Sequence, residues 1–209
     1  MDEPTGLRER KKQRTREAIS NAAIALFFEH GFDQVSISRI AQVAEVSRRT
    51  LFAYFPAKED LVLHRIADHE TESARIVRDH PGAPLAALRA HFMDGLDRRD
   101  PITGLCDVPA AVALYRLIMG TPSLAAGMLR YRGSSEVALA EALRERAPEL
   151  TARLAAAQIM AVQWRLAEDN QQLIADGTSA DDAYPAAVDA ARQGFELLSK
   201  GLESILGTD

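Results

Sequence analysis

An all-α chain is predicted for these 209 residues from three observations. Apolar residues recur three and four apart along nearly the whole length, no stretch alternates with period two, and proline or glycine falls at helix-length intervals. About nine helices result, three of them in a small N-terminal domain over 10–57 and the rest in a helical body over 58–209.

The opening MDEPTG has no periodic pattern, and residues 1–9 are expected to be disordered. The basic run RERKKQRTR that follows suits either an extended arm along a nucleic-acid backbone or the solvated start of a helix, with Arg14 and Thr15 as its candidate contacts. Ile19, Ala22, Ala23, Leu26 and Phe27 then form one stripe of a first helix that ends near Gly31, a residue suited to a left-handed cap. Ser36 can cap a second helix, in which Ile37, Ile40, Ala41 and Ala44 repeat at helical spacing. Glu45 and Val46 make a break too short for a loop. Ser47 can cap a third helix whose Leu51, Phe52 and Phe55 are expected to face inward, leaving Arg48, Arg49, Thr50 and Tyr54 outside. Pro56 stops that helix, and Lys58 puts positive charge at the next helix start, where phosphate binds well.

Two short helices and a tight turn with outward arginines are what a helix-turn-helix needs to enter a major groove. Charge favours this over a merely solvated face. From Leu7 to Lys58 there are ten Lys and Arg against five Asp and Glu, while from Glu59 onward fifteen oppose twenty-three. A basic N-terminal quarter is therefore hidden inside a net charge of −5. On this reading Arg48, Arg49 and Thr50 approach base edges, while Ser36, Ser38, Ser47, Tyr54 and Lys58 hold phosphates.

The run from Thr15 to Leu61 resembles the DNA-binding domain of TetR-type transcriptional regulators, in the helix ending GF, the IA..A..VS turn and the L-F-x-Y-F-x-x-K-E-x-L that follows. Glu45 stands where that family usually has glycine, and a non-glycine residue forced to positive φ there costs about 1–2 kcal/mol. Ala57 replaces the usual Ser or Thr cap, and Phe52 a common tyrosine. The resemblance implies a dimeric regulator, usually a repressor, released from a near-palindromic double-stranded operator by a small molecule held in the body. The segment SRRTLFAYFPAKEDLVL is also close to the mycofactocin-regulator-like subgroup, which implies an acyl-CoA-like effector.

Beyond Pro56 the pattern predicts one helix over about 58–80, then helices from near Pro84, from Pro109, from Thr121-Pro122 to Pro148 with a kink at Gly133, over about 149–176 and over about 181–206. Phe92, Tyr115, Met119, Met128, Met160 and Trp164 are candidate pocket walls, each equally readable as core. Arg130 and Arg132 beside Tyr131 suit an acidic ligand group or a solvated face. The 149–176 helix is apolar almost all round, so it needs cover on more than one side. The last helix has one large stripe, Val188, Ala191, Phe195, Leu198, Leu202 and Ile205, and a small one, Ala187, Ala190, Gly194, Leu197 and Gly201. The first is expected on the body and the second on a twin, forming a four-helix homodimer interface.

Rival functions find less support. The five histidines carry no catalytic signature, so no enzyme and no cofactor are expected. His64, Asp68 and Glu72 lie four apart, leaving a metal-sensing row as an alternative, and a protein-binding adaptor bundle as another. Cys106 is the single cysteine, which excludes a disulfide within this chain. With no spanning segment and no secretory signal, a cytoplasmic protein without membrane partners is expected.

Overall fold

A computed structural model describes the backbone of residues 3–206 and the side chains of residues 6 and 8–201. Among the described residues there are α-helices and one 3-10 turn and no strand. The helices are α1 (Glu3–His30), α2 (Ile37–Val43), α3 (Arg48–Tyr54), α4 (Asp60–Ala67), α5 (Glu72–Asp79), α6 (Pro84–Asp97), α7 (Pro109–Gly120), α8 (Pro122–Leu143), α9 (Glu149–Ala175) and α10 (Ala180–Leu206), with the 3-10 turn at Pro101–Thr103. No single described helix is long and apolar enough to cross a membrane; α7 and α8 pass by length and composition only when joined across a sharp bend.

The chain divides into two compact units. One contains Met1–Arg65 together with Leu117–Met128, and the other Ile66–Arg116 together with Leu129–Asp209. The head therefore extends past the expected boundary at 57 and gains the end of α7 and the start of α8. Met1 and Asp2 lie outside the described residues, but from Glu3 onward the expected disorder gives way to helix. Pro4 is tolerated in a first turn, and the long straight side chains of the basic run are good helix formers.

In the first unit Ile19, Ala23, Leu26 and Phe27 of α1 are buried with Phe32, Val35, Ile40, Leu51, Phe55 and Leu61. Phe27 and Phe32 meet at 4.8 Å between ring centroids. Buried Ser20 donates its hydroxyl to the Leu61 carbonyl at 2.8 Å, so a polar group on the core face of α1 is satisfied by the first turns of α4.

The α2–α3 turn keeps the geometry of a glycine turn without the glycine. Glu45 has φ +53°. The Val46 N–H reaches back to the Ala41 carbonyl at 2.9 Å and the Glu45 N–H to that of Gln42 at 3.2 Å. These two bonds are the paired closure of a helix end through one left-handed residue. The free carbonyls are satisfied, and the strain sits on Glu45 alone. Ala57, which lacks a capping side chain, has its N–H taken by the Asp60 carboxylate at 2.9 Å instead.

The helix expected over 58–80 is two helices. Residues 68–71 leave the helix, and the His69, Glu70 and Glu72 N–H groups bond three residues back. Asp68 and Thr71 are poor helix formers, and Glu72 is drawn off by histidines: His69 Nδ1 at 2.9 Å and His91 Nε2 at 3.3 Å. The metal row of His64, Asp68 and Glu72 relied on continuous four-residue spacing, which this break removes. No cluster of three metal-ligating side chains occurs among the described residues.

The second unit is built on α10 packed against α9 and α6, with Phe92 and Phe195 at 5.9 Å near its centre. Leu88, Leu96, Leu139, Leu143, Ile159, Ala191 and Leu198 fill the same core. The 3-10 turn is clamped to α9: Asn170 donates to the Thr103 carbonyl at 2.8 Å, and a Cβ on Gly104 (φ +76°) would lie 2.0 Å from the Ala167 carbonyl oxygen. Only glycine permits that approach.

Two tests follow. Glu45→Gly should stabilise the chain by about 0.5–1 kcal/mol, since relief of left-handed strain exceeds the added unfolded-state freedom of glycine; chemical denaturation measures it. The second concerns pH. The hydrogen bond that His69 donates to the Glu72 carboxylate holds His69 above its ordinary 6.5, and the bonds Glu72 accepts from His69 and then His91 hold it well below its ordinary 4.5. The His69 contribution is complete below 6.5 and fades as pH rises through the raised value, while the Glu72 contribution is complete above 4.5 and fades as pH falls. Both act between those limits, so the melting temperature should be higher near pH 5.5 than near pH 8 by an amount that shrinks in Glu72→Gln (about one pH unit inside each limit).

Candidate functional site

Two serines set the ends of the short helices. The Ser36 Oγ accepts from the Arg39 N–H at 3.2 Å, starting α2. The Ser47 Oγ accepts from the Thr50 N–H at 3.0 Å and pairs with the Thr50 hydroxyl at 2.7 Å, starting α3. Such caps stabilise by about 1 kcal/mol each, which matters for helices of two turns. Both hydroxyls are thus committed locally, and Thr50 is half-buried rather than free.

The side chains left exposed on α3 are Arg48, Arg49, Phe52 and Ala53. Phe52 was expected inside, yet it is 42 % exposed. Leu51 and Phe55, four apart, own the buried face, and position 52 is turned about 100° from Leu51 onto the face of Arg48 and Arg49. Tyr54 is half-buried and Ser38 exposed. Arg39 is also exposed on α2, bonded to Gln42 at 3.2 Å. The sequence reading missed Arg39, although its place three residues after the Ser36 cap marks an outward first-turn position.

Lys58 is placed differently from the expected outward anchor. Its ammonium donates to the Phe32 carbonyl at 2.5 Å and lies 4.5 Å from the Phe32 ring centroid and 5.5 Å from that of Phe27. Burial lowers its pKa, opposed by the charges of Asp33 and Glu59. Of the basic run, Arg14 is exposed and Thr15 donates to the Lys11 carbonyl one turn back at 3.0 Å. Both sit within α1, so the extended arm is absent.

In the body, the six candidate pocket residues are divided. Phe92 and Met160 belong to the core of the second unit. Met119 is 52 % exposed and falls with Met128 in the first unit. Trp164 meets a polar pair whose charges also act on Tyr115. The Arg132 guanidinium carbon lies 4.8 Å from the Trp164 ring centroid, and Arg132 pairs with Glu168. Burial raises the Tyr115 pKa, with Glu168 adding to the rise and Arg132 opposing it. Buried Tyr131 stands edge-on to Trp164 at 5.5 Å, its hydroxyl also raised by burial. Of the two arginines, Arg130 is exposed and Arg132 is the one drawn in. Glu168, four residues after Trp164 on α9, was not foreseen.

The small stripe of α10 is also divided. Ala187 is buried in the core, and a Cβ on Gly194 would lie 2.9 Å from Val162 Cγ1, which puts Gly194 at the crossing with α9. The broad face that α10 lays on α9 and α6 runs through Ala183, Ala187, Ala191, Phe195 and Leu198 and takes these two positions with it. Ala190, Leu197 and Gly201 remain exposed, Leu197 by 64 %, as do Leu150 and Leu154 of α9. Of the large stripe, Leu202 and Ile205 have side chains outside the described residues.

Residues 19–64 match the family model of the bacterial regulatory proteins, tetR family. The HTH-type transcriptional regulator TcmR of Streptomyces glaucescens is 35% identical over 144 residues, covering 68% of this chain and 64% of that protein. The HTH-type transcriptional regulator RutR of Escherichia coli is 37% identical over 125 residues, 57% of this chain and 56% of that protein. The chain thus spans less than two thirds of the length of these curated relatives. Among solved structures, NalD of Pseudomonas aeruginosa, the secondary repressor of the MexAB-OprM multidrug efflux pump, superposes with a TM-score of 0.54 over 88% of this chain and 97% of its own at 18% identity, a likeness of fold alone. Residues 19–64 thus carry the DNA-binding domain of the bacterial regulatory proteins, tetR family, in a chain whose relatives are HTH-type transcriptional regulators and whose all-helical fold is shared with NalD.

Proposed function

We propose that this protein is a homodimeric cytoplasmic repressor that reads a near-palindromic operator and leaves it when a small molecule binds the body. The observation that carries the reading is α3, a capped helix that buries Leu51 and Phe55 and exposes Arg48 and Arg49. An arginine can grip guanine through two hydrogen bonds in the major groove. Arg48, Arg49 and Thr50 are assigned to bases. Ser36, Ser38, Ser47, Tyr54, Arg14 and Thr15 are assigned to the phosphate backbone, and Lys58 joins them by giving up the Phe32 carbonyl.

A twin supplies the second head. Leu150 and Leu154 of α9 and Leu197 of α10 are exposed large apolar side chains, Ala190 and Gly201 of α10 are exposed small ones, and these are assigned to the packing of two helix pairs. Recognition helices about 34 Å apart would then meet successive major grooves. For the effector to empty the operator it must favour the released state by about 5.5 kcal/mol. Tyr115 and Trp164 are the pocket residues this reading retains. The metal-sensing alternative loses its motivation with the broken row.

Arg49→Ala should weaken operator binding by about 1–3 kcal/mol and relax base choice at one position of each half-site, leaving random-sequence binding nearly unchanged. Competitive gel shifts read both, and equal losses on the two DNAs would reassign Arg49 to phosphate. Leu197→Asp should convert the dimer to monomer in sedimentation at micromolar concentration and lower operator affinity with it. A native chain that already sediments as a monomer there contradicts the dimer.

A further inference from the structure

One side chain on the outer face of α3 matches neither a phosphate nor a hydrogen-bonding base edge. Phe52 is exposed, whereas Phe27, Phe32 and Phe55 of the same unit are buried. Phe28 of α1 and Val43 of α2 are exposed to a similar degree, but Phe52 alone of the three lies on α3. It follows Arg48 by four residues and Arg49 by three, the spacings that put side chains on one face of a helix. Both arginines are exposed as well, so the phenyl ring shares their face.

Chemistry limits what that face can discriminate. Arginine selects guanine, because its guanidinium donates to the O6 and N7 acceptors. The other exposed side chains of α3 are Phe52 and Ala53, and neither carries a hydrogen-bonding atom. Thr50 is half-buried, and its hydroxyl is paired with that of Ser47 at 2.7 Å. A phenyl ring can neither donate to a phosphate nor accept from a base amino group. The apolar feature that unmodified DNA offers in the major groove is the C5 methyl of thymine, and a ring laid on it takes both groups out of water. At 1.5 Å of rise per residue, Phe52 stands about 6 Å along α3 from Arg48, far enough to address a different base pair.

We propose that Phe52 is a specificity-determining residue that reads the C5 methyl of one thymine in each half-site, close to the guanine gripped by an arginine of the same face. This rests on α3 being the reading helix, as proposed above, and adds a base preference that the arginines cannot supply.

The purified full chain first selects its preferred duplex from a pool of random sequences. Each thymine of that duplex is then replaced singly by uracil, which keeps every hydrogen-bonding atom and lacks only the methyl. Gel-shift affinity should fall about fourfold at one thymine of a half-site, and about fifteenfold when its symmetry mate is changed too, one buried methyl's worth on each side. In Phe52→Ala the same replacements should change nothing, while the preference for guanine persists. Phe52→Leu keeps an apolar side chain and should retain part of the methyl dependence. With a cytosine·guanine pair at that position, 5-methylcytosine should be bound better than cytosine, because it restores the methyl alone. Should Phe52→Ala fail to fold, Phe52→Gln takes its place. No thymine at which uracil lowers affinity, a loss that persists undiminished in the folded variant, or equal weakening of selected and random duplexes by that variant would each overturn the assignment. A chain that selects guanine without any methyl dependence defeats the role of Phe52 and leaves the reading helix standing. A chain that selects no sequence at all defeats the DNA-reading proposal itself, and the role of Phe52 with it.

Discussion

A helix of seven residues has no stability of its own. In water, two turns cannot repay the nucleation of the first, so α3 exists because other parts of the head hold it. Ser47 caps its start, Leu51 and Phe55 bury its inner face, and the turn through Glu45 fixes where it begins. The restraint has a functional consequence: a reading helix held at the start, the turn and the inner face presents Arg48 and Arg49 in one orientation. Rigid placement of the supporting shell is what lets a few side chains discriminate bases.

The head tolerates departures from a family pattern because each lost element is replaced locally. Glu45 takes a left-handed conformation that glycine would adopt freely, and the two closing backbone bonds keep it there. A strain of about 1–2 kcal/mol is small beside the burial of Leu51, Phe55, Ile40 and Leu61, each contributing about 1.5–3 kcal/mol. Ala57 offers no side-chain cap, and the Asp60 carboxylate supplies the reciprocal bond by accepting from the Ala57 N–H. Phe55 is further enclosed by His64 edge-on at 5.1 Å and by the Arg16 guanidinium at 5.7 Å, which ties α1, α3 and α4 to one ring.

What the sequence made legible was whatever a short window can carry. The caps at Ser36 and Ser47, the stop at Gly31, the prolines that open α6, α7 and α8, and the buried stripe of α1 all rest on neighbours within a turn or two. Three failures share a cause, because each was decided by a distant partner. Glu72, at the start of α5, is held by His91 on α6 as well as by its neighbour His69. Ala187 and Gly194 were assigned to a twin by size, but the core takes Ala187 and α9 packs against Gly194. Arg132 read equally as a solvated residue until Trp164 and Glu168 on α9 drew it inward. Phe52 is different: its type suggested burial, and helical geometry alone places it on the exposed face beside the arginines.

The central claim is that α3 is a DNA-reading helix presented twice by a twofold molecule. Hydroxyl-radical footprinting of the full chain on the DNA upstream of its own coding sequence tests it most directly. The account predicts two protected segments on one face of the duplex, related by a near-palindrome and about one helical turn apart. A single asymmetric protected patch, or no protection beyond that of random-sequence DNA, would contradict it.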